Sequence, residues 1–334
     1  MDLEVLEREA TKYARVVDHF IMERSSYLPE RLTEAGLYLI KAGGKRLRPL
    51  ITMLVARMLG GGEAEARALP LAAAIEVAHN FTLIHDDIMD QDSMRRGVPT
   101  THVVYGTDWA ILAGDYLYSL SYKFVTDSVE YGLSYEQAYK ALRILAIAGI
   151  KVSRGQAYDM LYEERWDVGV ADYLNMVYLK TGSLIEASAR LGAVAAGGGS
   201  EIEELMGQYG SFLGVAFQIR DDILGVYGDP KKTGKPAFND IIRGKKTLLI
   251  LYTLSRLDED MRREFKGLLK KGVEEAKRAS EIIMETGTLK YALDLAKVYA
   301  SKAKESLGQV RDVADEEAKR LLELLADYVI MRER

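Results

Sequence analysis

Apolar residues recur at helical spacing along most of the chain. Two clear stripes run from Trp109 to Phe124 and from Leu289 to Leu307, each with apolar side chains every third or fourth position. No proline occurs between Pro99 and Pro230, so this long stretch can remain helical without interruption. Sustained alternation of polar and apolar residues is absent. The pattern predicts an all-α protein.

Clusters of Gly, Pro and small polar residues predict where helices break. They fall at residues 60–66, 97–106, 195–201 and 228–236. None is long enough to link two domains, and no repeat of roughly 20 to 50 residues is detectable. The simplest prediction is one helical domain over residues 1–334, a bundle of antiparallel helices around a central cavity.

Composition and charge narrow the class of protein. With 48% hydrophobic and 28% charged residues, the chain is typical of soluble globular proteins. Its 45 basic and 50 acidic residues give a net charge of −5, which argues against nucleic acid as a partner. The absence of cysteine excludes disulfides and thiolate chemistry. An acidic N-terminal stretch and the lack of a long apolar run predict a cytoplasmic protein without a membrane span.

The first candidate motif, HDDIMDQDSMRRG, ends an apolar helical stretch. Asp86 and Asp90 are one turn apart and share a face, where two carboxylates can hold hard cations. His79 falls on the same face within about 20°. Arg95 and Arg96 follow directly and suit phosphate oxygens. Alone, the motif is better explained by a solvated helix end with its own salt bridges.

A second apolar run, GVAFQIRDDILGVYGD, also ends in paired aspartates, Asp221 and Asp222. A lysine-rich loop follows it. Two further elements are basic: KAGGKRLRP, a glycine turn before a helix-opening proline, and YLKTGSLIEAS, with Lys180 in a helical stretch. Two carboxylate clusters and several basic clusters together predict magnesium ions that bind a diphosphate leaving group.

These residues resemble the trans-type prenyl diphosphate synthases, the family of farnesyl and geranylgeranyl diphosphate synthases. Five motifs occur in the family's order between about Gly43 and Lys246: GGKRLRP, DDIMD with RRG, KTG, FQIRDD and the lysine loop. The resemblance implies an all-α isoprenoid-synthase-type fold around a deep cavity and a homodimer. It also implies that isopentenyl diphosphate is condensed with an allylic diphosphate (dimethylallyl, geranyl or farnesyl).

The resemblance assigns a role to each matching residue. Asp86, Asp90 and Asp221 match the ligands of three magnesium ions, with Asp87 and Asp222 in support. Thr181 and Gln218 match polar groups near the developing allylic cation. The residues that match diphosphate contacts are Lys45, Arg48, His79 and Arg96 for isopentenyl diphosphate, and Arg95, Lys180, Lys235 and Lys245 for the allylic diphosphate.

The implied mechanism is ionisation, condensation and elimination. Cations stabilise the diphosphate that leaves the allylic substrate, and an allylic carbocation remains. The isopentenyl double bond attacks this carbocation, and the departed diphosphate takes the proton. One departure from the family stands in the second motif, where Gly225 replaces a common third aspartate. We expect Asp221 to suffice for the third magnesium ion.

Product length is predicted from the two residues four and five positions before Asp86. In the family, bulk there closes the cavity floor, and this chain has Thr82 and Phe81. The threonine predicts room for a twenty-carbon product, geranylgeranyl diphosphate; a farnesyl or longer product is the alternative. On an ideal helix Thr82 lies about 40° from Asp86 and Phe81 about 140° away, so Phe81 is equally well a core aromatic.

Three other functions fit the sequence less well. A terpene cyclase would need neither GGKRLRP nor His79. A di-iron bundle calls for two Glu-x-x-His motifs, and only Glu76 with His79 forms one. A non-catalytic partner subunit of a hetero-oligomeric synthase would be expected to lack some of the carboxylates or basic residues that this chain retains.

Overall fold

The computed structural model describes residues 2–27, 29–229 and 238–331. Within them the chain is almost entirely helical, which confirms the all-α prediction, and the one small exception is a hairpin of two two-residue strands, β1 and β2. The elements are α1 (Asp2–Arg24), α2 (Glu30–Lys41), α3 (Leu47–Met89), β1 (Met94–Arg95), β2 (Val98–Pro99), α4 (Thr101–Tyr105), α5 (Thr107–Asp127), a 3-10 turn (Ser128–Tyr131), α6 (Tyr135–Glu163), α7 (Val170–Val177), a π-helical turn (Tyr178–Gly182), α8 (Ser183–Ala195), α9 (Ser200–Tyr227), α10 (Asn239–Arg243), α11 (Leu248–Arg256), α12 (Glu259–Leu268), α13 (Val273–Glu285), α14 (Thr288–Gly308) and α15 (Glu316–Met331).

The predicted helix breaks fall where the glycines are. Within α3, Gly60 and Gly61 leave the helical region, with φ values of −141° and 64°. The break at 97–106 contains β2 and α4, and the break at 195–201 separates α8 from α9. Most of the break at 228–236 lies outside the described residues.

The described chain forms two compact units. The first unit comprises Met1–Ala148, Leu184–Gly207 and Leu307–Leu324, and the second unit comprises Gly149–Ser183, Gln208–Ser306 and Leu325–Arg334. That the chain acts as a single domain stays a prediction.

In the first unit, α3 packs chiefly on α5. The predicted stripe of α5 supplies Ala113, Leu117, Leu120 and Phe124, all buried, while its Leu112 is 51% exposed. At its C-terminal end α3 reaches the first acidic motif, and the β1–β2 hairpin then turns the chain back. The two arginines of that motif therefore return toward the helix that carries the aspartates.

In the second unit, α9 and the helices that follow it share a hydrophobic core that includes Ile219, Ile223 and Phe265. The predicted stripe of α14 contributes its alanines to the buried side. Lys180 lies in the π-helical turn, a local distortion that often marks a functional site. A Cβ atom at Gly155 would lie 2.3 Å from the backbone nitrogen of Lys180, so the glycine lets α6 approach this turn closely.

No helix in the described parts of the chain is both long and apolar enough to cross a membrane.

Candidate active site

The turn that precedes α3 has an unusual backbone. Gly43, Gly44 and Arg46 have φ values of 93°, 141° and 47°. A Cβ atom at Gly44 would lie 2.8 Å from Nη1 of Arg46 and 3.0 Å from Cζ of Arg96. Glycine is thus required here both for its conformation and for its lack of a side chain, because two guanidinium groups pack against it. Lys45, which lies between Gly44 and Arg46 in the chain, is exposed.

Three of the four residues matched to isopentenyl diphosphate lie near one another. Burial, reinforced by the positive charge of Arg96, lowers the pKa of Arg48 to about 10. Burial likewise lowers the pKa of Arg96 to about 10. The pKa of His79 is lowered well below its ordinary value by burial and then by Arg48 and Arg96, which keeps this imidazole neutral. Positive charges that converge in this way favour a bound anion.

The first carboxylates follow the predicted helical geometry. The amide nitrogen of Asp90 donates to the carbonyl oxygen of Asp86 at 2.8 Å, so the two side chains leave successive turns of α3. Arg95 lies among these carboxylates: its Nε donates to Oδ1 of Asp87 at 2.5 Å, and its Nη2 is 3.8 Å from Oδ2 of Asp86 and 3.6 Å from Oδ2 of Asp92.

Asp87 is fully buried beside this pair. Burial raises its pKa to about 6, although Arg95 opposes the shift. Its Oδ2 accepts no hydrogen bond from any described residue. A buried carboxylate oxygen without a donor is costly unless a cation or water satisfies it, so the end of α3 suits a cation.

Within residues 2–27, 29–229 and 238–331, no three or more acidic, His or Cys side chains converge as a complete cage for a metal ion. Magnesium does not need one, because it binds through one or two carboxylates when phosphate oxygens and water complete its octahedron. The adjacent carboxylates at Asp86 and Asp90 fit that requirement.

The second unit contains a cavity of about 100 Å³. It brings together residues that the sequence had marked and residues that it had not: it is lined by Asp159, Tyr173, Met176, Val177, Lys180, Thr181, Gln218, Asp221, Asp222, Asp240, Lys245, Lys246 and Thr247. Lys235, the remaining lysine matched to the allylic diphosphate, lies outside the described residues.

Hydrogen bonds connect four of the residues that line this cavity. Thr181 donates to Oε1 of Gln218 at 2.9 Å, and Nε2 of Gln218 donates to Oδ1 of Asp222 at 2.9 Å. Tyr173 donates to the other oxygen of Asp222 at 2.6 Å. Burial raises the pKa of Asp222 to about 7, and neighbouring Asp240 and Asp221 reinforce the shift. Both Asp221 and Asp222 line the cavity, and Asp222 is held there by Tyr173 and Gln218.

Gly225 has a direct steric explanation. A Cβ atom at this position would lie 2.0 Å from Oδ2 of Asp240, a buried residue of α10. The carboxylate of Asp240 thus occupies the space into which a side chain at 225 would point. The second cluster retains a third carboxylate, but that carboxylate comes from a different helix.

Sequence reasoning missed several cavity residues because nothing in the local pattern marks them. One of them is Asp159, whose Oδ2 accepts a hydrogen bond from Lys180 at 2.6 Å, across 21 positions of sequence. Lys246 belongs to the lysine-rich run, and its Nζ lies 3.4 Å from the ring centroid of Trp166. Burial, together with Lys270 and Lys266, lowers the pKa of Lys246 to about 8. The contact with Trp166 therefore fixes one side of the segment 244–247, which contains Lys245 and Lys246.

The two residues predicted to set product length point differently. The ring of Phe81 packs edge-on against Tyr118 of α5, with centroids 4.8 Å apart, and against His85 at 5.8 Å. Tyr122 donates a hydrogen bond to the hydroxyl of Tyr118 and extends the aromatic group. Oγ1 of Thr82 donates to the carbonyl oxygen of His79 at 2.7 Å, which holds the small side chain against its own helix.

We expect Gly225→Asp to lower the free energy of unfolding by about 1–3 kcal/mol, because the new side chain collides with Asp240 and adds a like charge. Gly225→Ala should show the steric part alone, and Gly225→Asp combined with Asp240→Gly should recover much of the loss. Gly267→Ala is the control, since a Cβ there meets nothing within 4 Å. Urea unfolding of the four variants measures the effect; a fully stable Gly225→Asp would contradict the steric explanation.

Comparison with known proteins identifies the family. The model of the polyprenyl synthetase family matches residues 29–286. A geranylfarnesyl diphosphate synthase of Aeropyrum pernix is 61% identical over 95% of this chain and 99% of that protein. A geranylgeranyl diphosphate synthase of Saccharolobus solfataricus is 43% identical over 91% of each. The crystal structure of geranylgeranyl pyrophosphate synthetase from Pyrococcus horikoshii superimposes with a TM-score of 0.93 at 35% identity and covers 100% of both chains. The chain therefore belongs to the polyprenyl synthetase family, which confirms the all-α prenyl diphosphate synthase predicted from its motifs.

Proposed function

We propose that the chain condenses isopentenyl diphosphate with dimethylallyl, geranyl and farnesyl diphosphates to form geranylgeranyl diphosphate. The observation that carries this proposal is the convergence of Arg48 and Arg96 on a neutral His79. Burial lowers the pKa of both arginines, and neighbouring positive charges add to the shift. A diphosphate bound among them would relieve the repulsion between these charges, while His79 would contribute a neutral hydrogen bond.

The cavity of the second unit supports an allylic diphosphate site. Lys180 and Lys245 line it together with Asp221. Because Thr181 gives its hydroxyl proton to Gln218, its oxygen keeps lone pairs that can stabilise a developing positive charge. The family resemblance also matches Arg95 and Lys235 to allylic diphosphate contacts, and both assignments stay predictions.

Asp86, Asp90 and Asp221 are proposed to hold three magnesium ions. When bound, these ions would neutralise the charge that develops on the leaving diphosphate. The chain's own contribution is to place the carboxylates: α3 separates Asp86 and Asp90 by one turn, and α9 presents Asp221 at the cavity while Asp222 is held by Tyr173 and Gln218.

We expect Asp86→Ala to reduce turnover by at least about 100-fold without unfolding the protein, since it removes one carboxylate of the one-turn pair. The matched control is Asp108→Ala, an exposed aspartate in the first turn of α5. Turnover is measured with magnesium and both substrates, and circular dichroism checks the fold. A folded Asp86→Ala of near-normal rate would overturn the metal assignment.

A longer product is the second candidate. It is favoured by the 61% identity to a geranylfarnesyl diphosphate synthase, whereas the relative at 43% is a geranylgeranyl diphosphate synthase. The aromatic group of Phe81, Tyr118 and Tyr122 is the bulk we propose to end elongation, with Thr82 leaving space nearer Asp86.

We expect the wild-type protein, given radiolabelled isopentenyl diphosphate and each allylic primer, to stop at twenty carbons; a dominant twenty-five-carbon product would favour the second candidate. Phe81→Leu and then Phe81→Ala should lengthen the product stepwise as ring volume is lost. Thin-layer chromatography of the dephosphorylated products measures the length. Unchanged products in both variants would remove Phe81 as the floor.

The chain is further proposed to form a homodimer. Helix α6 exposes Tyr135, Tyr139 and Ile147, which are 83%, 61% and 46% accessible and span about 120° of its surface. Several exposed apolar side chains along one helix are typical of an interaction surface. A second copy of the chain is the occupant implied by the family. The cytoplasmic location also stays a prediction.

Light scattering should give twice the chain mass of 37.3 kDa. Tyr139→Glu combined with Ile147→Glu should shift the protein toward the monomer, because the two charges would have to be buried in the interface. Val298→Glu, at a position of α14 that is 48% exposed, should leave the dimer intact. A monomeric wild-type protein would rule out the homodimer.

A further inference from the structure

We propose that Glu76 and Asn80 are positioning residues that hold Arg96 in place for isopentenyl diphosphate, through an unbroken series of hydrogen bonds anchored at Asp18. This inference rests on the proposed function, because it takes Arg96 as a contact to that substrate. The series runs Asp18, Arg46, Glu76, Asn80, Arg96, and all five residues lie in the first unit.

The substrate end of the series is Arg96. Its backbone lies in the left-handed region, with φ of 53°, a conformation that is unfavourable for a residue with a side chain. Nη1 donates to the carbonyl oxygen of Leu39 at 2.6 Å and to Oδ1 of Asn80 at 3.1 Å. Both bonds come from one nitrogen, so the side chain is fixed at one corner of the guanidinium. Among the described residues neither Nε nor Nη2 has an acceptor, and both can donate to an anion.

Asn80 has no exposed surface, and both ends of its amide are used. Nδ2 donates to Oε1 and to the carbonyl oxygen of Glu76, each at 2.8 Å. With the amide nitrogen committed to Glu76, the amide oxygen must face Arg96. The orientation of Asn80 is therefore set by Glu76.

Glu76 is 1% exposed and is the carboxylate at the centre of the series. The same Oε1 that accepts from Asn80 also accepts from Nη1 of Arg46 at 3.2 Å. A buried carboxylate is unfavourable by itself, but Arg46 and Arg96 offset its desolvation. The charge of Glu76 in turn stabilises the neighbouring cations.

Arg46 anchors the series. It is 3% exposed and left-handed, with φ of 47°. Nε and Nη2 form a bidentate pair with Asp18 at 2.7 and 3.1 Å. The remaining donors reach the carbonyl oxygens of Gly43 and Ile40 at 2.8 and 2.6 Å, besides Glu76. All five donors are satisfied within the protein, so Arg46 is a structural cation with no donor left for substrate.

Asn80→Leu tests the proposal, because leucine is similar in size but removes both ends of the amide. We expect the KM for isopentenyl diphosphate to rise about tenfold while the KM for the allylic diphosphate stays the same. If the leucine variant does not fold, Asn80→Ala carries the same expectation. Thr253→Val, which removes a fully buried hydrogen bond between Thr253 of α11 and Thr288 in the second unit, controls for lost stability and should change neither KM.

A conservative variant separates positioning from mere packing. Glu76→Gln keeps an oxygen that can accept from Asn80 and Arg46 as Oε1 of Glu76 does, so Asn80 keeps its orientation toward Arg96. We expect the KM for isopentenyl diphosphate to rise much less in Glu76→Gln than in Asn80→Leu.

The proposal is overturned if Asn80→Leu and Asn80→Ala leave the KM for isopentenyl diphosphate unchanged, if both KM values rise together, or if Glu76→Gln raises the KM for isopentenyl diphosphate as much as Asn80→Leu does. If instead the wild-type protein neither binds nor consumes isopentenyl diphosphate, the proposed function itself fails. Titration calorimetry of the wild-type protein with this substrate distinguishes the two failures.

Discussion

Arginines placed close together repel one another, and this constraint shapes the first unit. Arg46, Arg48 and Arg96 all lie near Glu76, the carboxylate whose charge acts on each of them. The arginines differ in how their hydrogen-bond donors are satisfied. All five donors of Arg46 bond to protein oxygens, whereas Nε of the half-buried Arg48 has no acceptor among the described residues. The fold thus holds cations together more closely than they would lie in water. A site of this kind gains most when an anion arrives.

The second unit concentrates charge of the opposite sign. Asp240 and Asp221 add to the burial that raises the pKa of Asp222, and Asp222 is held by Tyr173 and Gln218. Lysines line the same cavity, so cations and carboxylates lie side by side around it. Gly225 is part of this arrangement, since its missing side chain makes room for Asp240.

Much of the fold followed from local pattern. Helical periodicity predicted α5, α9 and α14, and clustered glycines predicted the breaks at Gly60–Gly61 and between α8 and α9. The order of the motifs predicted the family. The one-turn spacing of Asp86 and Asp90 was equally predictable, because positions within one helix are fixed by its pitch. The exposure of Leu112 was not, because the stripe alone does not say how wide a face the neighbouring helices cover.

The sequence by itself determined which residue types carry the chemistry and which of them share a helix. Only the tertiary structure decided what each one touches. Asp240 meets Gly225 across fifteen positions of sequence, Lys180 meets Asp159 across 21, and Arg46 meets Asp18 across 28. Such contacts depend on how helices pack and where chain turns direct them, and no local periodicity encodes that packing. For this reason Asp86 and Asp221 could be found by their motifs, whereas Asp240, Asn80 and Glu76 acquired a role only from their neighbours.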